Sequence, residues 1–174
     1  MTCARHGWTD SSDAAPSCAP DTSNVADAEQ VGRLLHSGNS TSPKEWLKRD
    51  ELFGRKNAET VNVCNHVEGS PGASLFRSDD LSEDEVRNRS KEYAERKEGR
   101  DPRGAVTGRT HDLRAIRSKK QPEAQVVFVY DDPTKDDRRH CVVRIDQACR
   151  TEGDYLRGEV LKALGKRIEQ TIVS

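Results

Sequence analysis

The sequence predicts an α+β fold: a small, mostly antiparallel sheet of three to five strands, covered by a C-terminal amphipathic helix. Two apolar, β-branched runs at 126–130 and 141–145 flank a charged, Pro-containing loop, which is typical of a hairpin. Residues 60–67 alternate between apolar and polar side chains, as a half-buried strand does. Apolar residues also recur every fourth position within 154–173, which predicts an amphipathic helix. Strands and helices in this arrangement favour an α+β layer structure.

Composition predicts one domain with a small core, preceded by a polar N-terminal segment. The chain has 174 residues, of which 32% are hydrophobic and 34% are charged, and its net charge is −1. The length fits a single domain, and the low apolar fraction implies a small core with long polar segments. Residues 1–24 are rich in Ser, Ala, Asp, Thr and Pro without periodicity, so we predict that they are disordered. Residues 25–174 are predicted to form one α+β domain.

Cysteine usage and hydropathy predict a cytoplasmic protein. The sequence contains no run of 18 apolar residues and no apolar core of a secretory signal near its first residue. The five cysteines are unevenly spaced, which favours reduced thiols. Two short pairs, Cys64 with His66 and His140 with Cys141, could each supply zinc ligands. A buried thiol beside a chance histidine is the favoured explanation of each pair, so no metal site is predicted.

The first half of the domain reads as two short helices and two strands. Val31, Leu34 and Leu35 stand at helical spacing, which predicts a helix over 26–36. Ser42, Pro43 and Glu45 are helix-start signals for a second helix that ends near residue 54. The sequence then predicts strands at 60–67 and 73–77.

The clearest local signal predicts a helix over 82–98. Ser82 and Glu85 match a capping box, and Leu81 with Val86 matches a hydrophobic staple. The apolar face of this helix is thin, so it is expected to be solvated or covered by a partner. The candidate partner-binding residues are Arg87, Arg89, Tyr93 and Arg96. Residues 101–110 are predicted to form a loop, and 110–117 one or two helical turns.

The loop between the two hairpin strands is the first candidate site. It places four aspartates, one histidine and two arginines within residues 131–140. Carboxylates are hard ligands that can gather a divalent metal for phosphoryl chemistry, and a histidine can act as general acid or base. The candidate catalytic residues are His140, Asp131, Asp132 and Asp137. A solvated turn has the same composition, and that alternative stays open.

The basic stretch 87–120 is the second candidate site. It contains twelve Lys or Arg and five Asp or Glu, whereas the whole chain is nearly neutral. Charge segregated in this way favours a polyanionic or acidic partner. The candidate phosphate- or nucleic-acid-binding residues are Arg103, Arg109, Arg114, Arg117, Lys119 and Lys120. Tyr93 is the one aromatic residue in the stretch, so a solvated basic face is equally open. The sequence has no P-loop and no G-x-G-x-x-G motif, and no cofactor is predicted.

One resemblance spans residues 43–146. The order W-L-K-R-x-x-L-F, S-L-F-R, L-S-E-D-E-V, D-D-P and R-H-C-V-V resembles small uncharacterised bacterial proteins with an S-V-F-R … L-S-E-D-E-I … D-P … H-A layout. The resemblance implies a domain boundary and a bacterial origin, and it implies no activity.

The leading functional hypothesis is a non-enzymatic bacterial module that binds another protein as an accessory or regulatory component, in the setting of a defence or genomic-conflict operon. Charge segregation and the absence of a complete catalytic constellation favour it. One alternative is a metal-dependent nuclease or other phosphoryl-processing enzyme built on the 131–140 loop. The other is a nucleic-acid-binding module that uses the 87–120 stretch.

Overall fold

The α+β class is confirmed in a computed structural model of the chain. The structure describes residues 2–3, 8–9, 25–37, 46–53, 72–96, 99–131 and 136–170. Its centre is an antiparallel sheet of six strands, one more than the upper limit that the sequence predicted. Three of the six strands, Gln30–His36, Pro102–Arg109 and Lys166–Ile168, were not predicted as strands, and the strand predicted at 60–67 lies outside the described residues.

The strands occupy separate stretches along the chain. They are β1 (Thr2–Cys3), β2 (Trp8–Thr9), β3 (Gln30–His36), β4 (Ala73–Arg77), β5 (Pro102–Arg109), β6 (Val127–Asp131), β7 (His140–Ile145) and β8 (Lys166–Ile168). The first two pair with each other as a separate ladder. The large sheet has the order β6-β7-β4-β3-β5-β8, and every neighbouring pair is antiparallel.

Helices lie on both faces of the sheet. The described α-helices are α1 (Arg49–Leu52), α2 (Glu83–Glu95), α3 (Thr110–Arg114) and α4 (Gly153–Ala163), and a 3₁₀ helix spans Gln147–Glu152. The larger core packs α1, α3 and α4 against one face of the sheet, so the predicted cover by the C-terminal helix is confirmed in part. A smaller core packs α2 against the other face through Phe76, Val86, Ala105 and Ile168.

The predicted hairpin is confirmed as β6 and β7, but it does not lie at the centre of the fold. β6 forms one end of the strand order, while β3 and β4 lie in the middle. An open strand edge invites pairing with other chains, so such an edge is usually blocked. Here Arg114 Nη2 donates to the carbonyl oxygen of Val129 at 3.2 Å, and Gln125 Nε2 donates to that of Val127 at 3.1 Å.

The helix signal at Ser82 is confirmed. The Ser82 hydroxyl accepts from the Glu85 N–H at 3.3 Å, and the Glu85 carboxylate accepts from the Ser82 N–H at 2.7 Å. Because α2 buries Val86, Ser90 and Ala94 against the sheet, its thin apolar stripe is used within the fold.

The helix predicted at 26–36 is wrong, because residues 30–36 form β3. Val31 and Leu35 enter the larger core, while Leu34 packs against the smaller one. A strand that is covered on both faces loses the simple alternation of buried and exposed residues. Its apolar spacing can then match a helix by coincidence.

The loop predicted at 101–110 is also wrong, because residues 102–109 form β5. The register advances by two residues on β3, from Leu34 to His36, and by three on β5, from Pro102 to Ala105, so β5 carries a bulge. Gly104 lies in that bulge with φ = +82°, a conformation that suits glycine at such a position. Glycine and proline, which read as loop signals, therefore mark an irregularity within a strand.

The C-terminal helix is shorter than predicted. It ends at Ala163, and a three-residue strand, β8, follows Gly165. Ile168 belongs to the apolar ladder in the sequence but lies in β8, and it enters the smaller core. The chain therefore crosses from one face of the sheet to its far edge.

Several predictions lie on residues that the structure does not describe. They include the strand at 60–67, with Cys64 and His66, and most of the N-terminal segment 1–24. Among the described residues, no helix is long and apolar enough to cross a membrane.

Candidate functional site: a charged cleft at one end of the sheet

A charged cleft opens where four strands of the sheet begin or end. At this end β3 and β7 start, and β4 and β6 finish. The cleft has a volume of about 330 Å³, and it is lined by Glu29, Arg77, Asp79, Asp80, Arg138 and Arg139. Three of these side chains are acidic and three are basic.

Arg77 lies on the more buried side of the cleft. Its guanidinium forms a two-point contact with Glu29, Nε to Oε2 at 2.8 Å and Nη2 to Oε1 at 2.7 Å. Its Nη1 lies 3.4 Å from Oδ1 of Asp131, whose side chain is fully buried. Burial lowers the pKa of Arg77, but the hydrogen bonds and charge of Glu29, together with the charge of Asp131, raise that pKa above its ordinary value. Arg77 therefore stays charged at any physiological pH.

Arg139 forms a second two-point contact on the more exposed side of the cleft, its rim. Its Nη1 and Nη2 donate to the two carboxylate oxygens of Asp80 at 2.5 and 2.9 Å. These hydrogen bonds lower the pKa of Asp80 and raise that of Arg139. The Asp80 side chain is 70% exposed, and the Arg139 side chain is 35% exposed. This pair is therefore accessible from solvent, whereas the pair at Arg77 is mostly buried.

A fourth ion pair joins the residues before β7 to α2. Asp137 accepts a hydrogen bond from Arg89 of α2, and its other oxygen accepts from the Arg139 N–H at 3.0 Å. The Arg89 guanidinium also lies 5.2 Å from the centre of the Phe76 ring, a cation–π distance. These contacts link α2 to the residues just before β7 and to Phe76 of β4.

The backbone around the cleft is held by the turn between β4 and α2. The Ser78 N–H donates to the Gln30 carbonyl at 2.9 Å, and the Gln30 N–H donates to the Asp79 carboxylate at 3.3 Å. The capping box of α2 begins directly after this turn. These contacts hold the Asp79 side chain and the backbone of the turn, whereas the Asp80 side chain is held by Arg139.

The structure separates the catalytic residues that the sequence suggested. Asp131 is paired with Cys141 across the ladder, so its side chain shares a face with Cys141. His140 points to the opposite face, where its Nε2 lies 3.1 Å from the Ser74 hydroxyl. Asp137 engages Arg89, and Asp132 lies outside the described residues. Within the described part of the chain, no three His, Cys, Asp or Glu side chains cluster as metal ligands would.

The strand geometry also separates His140 from Cys141, the pair that could have supplied zinc ligands. Adjacent residues of a strand point to opposite faces, and Cys141 is buried in the larger core. Cys149 is buried as well, and burial raises the pKa of its thiol. The raised pKa disfavours thiolate chemistry at Cys149.

Four of the six candidate phosphate-binding residues make contacts within the fold. Arg114 binds the Asp27 carboxylate at 2.6 Å and the Val25 carbonyl at 2.7 Å. Arg117 donates to two backbone carbonyls close in sequence. Lys119 lies over the Tyr155 ring at 4.3 Å, and Lys120 donates to the Thr151 hydroxyl at 3.1 Å. Arg103 and Arg109 are exposed near opposite ends of β5.

The candidate partner-binding residues of α2 are also largely engaged. Arg87 forms ion pairs with two acids one turn earlier on α2 and donates to the Glu169 carbonyl at 2.9 Å. Arg89 engages Asp137. The Tyr93 ring lies 6.0 Å from that of His36. Arg96 is exposed at the end of the helix.

Sequence reasoning missed the pairs that build the cleft. Glu29 and Arg77 are 48 residues apart, and Asp80 and Arg139 are 59 apart. Periodicity gives no information about pairs at such distances. The available signal was the position of Arg77 at the end of one strand and of Arg139 just before another, which becomes useful only once the strand order is known.

No protein-family model, curated protein or solved structure matches this chain. The resemblance to small bacterial proteins therefore stays a prediction, and the function is argued from the cleft itself.

Proposed function

We propose that the chain is a protein-binding module that docks its partner at the charged cleft. The observation that carries the proposal is the lining of the cleft, which combines three arginines with three carboxylates where four strands of the sheet begin or end. A partner that fits such a lining must present acidic and basic groups side by side. Protein surfaces do this, and complementary charge of both signs fixes register and steers association.

The character of the lining argues against other classes of ligand. Small-molecule sites are mostly apolar with a few polar groups, whereas the lining named here is charged throughout. Nucleic-acid sites are basic, because they neutralise phosphates. Here three acids balance three arginines, and Arg87, Arg89 and Arg114 of the basic stretch pair with acids in the fold.

The experiment compares two charge reversals that alter net charge equally. Arg138→Glu reverses an exposed arginine in the cleft. Arg103→Glu reverses an exposed arginine near the start of β5, which does not line the cleft. Proteins captured from host lysate by the wild type are identified, purified and titrated against both variants. We expect Arg138→Glu to lose at least tenfold in affinity and Arg103→Glu to bind as the wild type does.

Two results would contradict the proposal. Equal affinity of both variants for every purified partner would place the docking surface elsewhere. Nucleic acid that co-purifies with the wild type and is lost from Arg103→Glu, seen in the ratio of absorbance at 260 and 280 nm, would favour the nucleic-acid alternative. A salt titration of the bound nucleic acid tests this alternative further, because phosphate contacts weaken steeply as salt rises.

A further inference from the structure

We infer that Asp80 is an internal competitor for the partner, occupying the guanidinium of Arg139 in the place that a carboxylate of the partner takes when it docks. This inference rests on the proposed function and specifies which contact is exchanged. It concerns one ion pair at the rim of the cleft.

The geometry of the pair supports the exchange. Both oxygens of Asp80 meet the two terminal nitrogens of Arg139, which is the two-point contact that arginine forms with any carboxylate. The pair lines the cleft, so a carboxylate that enters the cleft reaches the same fork from solvent. An incoming acid therefore needs no new binding element, only the displacement of Asp80.

Exposure shows which of the two arginine pairs exchanges. Asp80 is 70% exposed, and exposed ion pairs contribute little to stability because water competes well for both partners. Arg77, in contrast, is held between Glu29 and the fully buried Asp131. Removing a carboxylate from the buried pair would leave a charge without solvent, which is costly. The pair at Arg139 is thus the exchangeable one.

Arg139 itself stays in place when its carboxylate changes. Its carbonyl accepts from the Arg77 N–H at 2.9 Å, and its own N–H donates to Asp137 at 3.0 Å. Its Nη1 also lies within 3.4 Å of the Arg77 carbonyl. Asp80 lies on an exposed turn, so its side chain can rotate away into solvent. The exchange therefore requires one rotamer change and no movement of the sheet.

The test is a double-mutant cycle with a defined probe, a capped tetrapeptide of four glutamates, titrated by calorimetry or NMR. Asp80→Asn removes the competing charge, and we expect it to bind the peptide about fivefold more tightly than the wild type, the factor that corresponds to an exposed pair of ~1 kcal/mol. Arg139→Gln is expected to abolish binding, and the double variant Asp80→Asn/Arg139→Gln is expected to lose the gain. Thermal melts establish that each variant is folded.

Equal affinity of the wild type and Asp80→Asn would overturn the inference, as would a gain that persists in the double variant. Asp84→Asn is the matched control, because Asp84 is an exposed acid on α2 that pairs with Arg87. A similar gain in that control would mean that any lost negative charge improves binding. Since the probe is a peptide and the protein is pure, failure here leaves the capture experiment with Arg138→Glu unaffected.

Discussion

Ser90 offers the sharpest test of how α2 is bound to the sheet. Its hydroxyl is fully buried, accepts from the Gly104 N–H at 3.0 Å and donates to the Leu35 carbonyl at 3.2 Å. Gly104 lies in the β5 bulge, where the regular ladder is interrupted. Ser90 thus supplies hydrogen bonds to backbone groups that the interrupted ladder would otherwise leave without regular partners.

Ser90→Ala removes both bonds and leaves the two backbone groups buried. Each buried group that loses its partner costs about 1–3 kcal/mol, while alanine returns roughly 0.5 kcal/mol of helix propensity. We therefore expect the free energy of unfolding to fall by about 1.5–5.5 kcal/mol. For a domain of this size, that lowers Tm by roughly 3–20 °C.

The assay is urea unfolding followed by circular dichroism, together with hydrogen exchange at the Gly104 amide. Asn88→Ala is the matched control, since Asn88 is exposed on the same helix and such changes usually stay within ~0.5 kcal/mol. We expect exchange at Gly104 to accelerate in Ser90→Ala alone. If Ser90→Ala were as stable as Asn88→Ala, and the Gly104 amide as protected, the bridging role would be refuted.

Three further predictions address other parts of the fold. Arg114→Lys keeps the charge but loses the fork that joins one carboxylate and two carbonyls, so we expect a loss of about 1–2 kcal/mol in urea unfolding. Gly104→Ala places a Cβ within 1.9 Å of a backbone oxygen at a position of positive φ, so we expect it to abolish or severely weaken folding. Gly99→Ala also has positive φ but open space around its Cβ, so we expect it to lower stability by only ~1 kcal/mol in thermal melts. A hydrogen bond from the Ser118 hydroxyl lowers the pKa of Glu152 in the folded protein below its unfolded value, near 4.5. Ionised Glu152 therefore stabilises the fold above pH 4.5, and this stabilisation is lost as the pH falls through the pKa of the folded state. Glu152→Gln is thus expected to be less stable than the wild type at pH 7, with the difference shrinking in melts below pH 4.5; a constant difference across that range would contradict this.

Local signals in the sequence predicted local structure well. The capping box at Ser82, the short helix at 110–114 and the hairpin strands all depend on neighbours within a few residues, and each is confirmed. Leu113, in the helix at 110–114, is fully buried. Such signals succeed because a cap or a turn is satisfied by side chains that are adjacent in the chain.

The errors occurred where tertiary contacts decide. β3 and β5 lie side by side within the sheet, with a core on either face, and a strand in that position no longer shows a two-residue period. In β5, Gly104 and Gly108 permit close approach of other backbone, since a Cβ on Gly108 would lie 2.0 Å from the Ala163 carbonyl. Their role depends on β8 and α4, which arrive about 60 residues later in the chain.

The segregation of charge along the sequence has a structural explanation. Two arginines of the basic stretch, and Arg139 just before β7, meet acids that are distant in the chain: Arg89 with Asp137, Arg114 with Asp27, Arg139 with Asp80. Blocks of one sign in sequence thus become pairs of opposite sign across neighbouring elements. A basic stretch of this kind does not by itself create a basic face, because the fold returns acids to it.

That pairing also determines where recognition is still possible. Arginines that bridge two elements, such as Arg114, cannot leave their partners without weakening the fold, so they are poor candidates for binding another molecule. An exposed pair on a turn, such as Asp80 with Arg139, loses little when a new carboxylate replaces the old one. If the chain binds a protein partner as proposed, we expect the exchange of contacts at the rim of the cleft, because the carboxylate there is exposed.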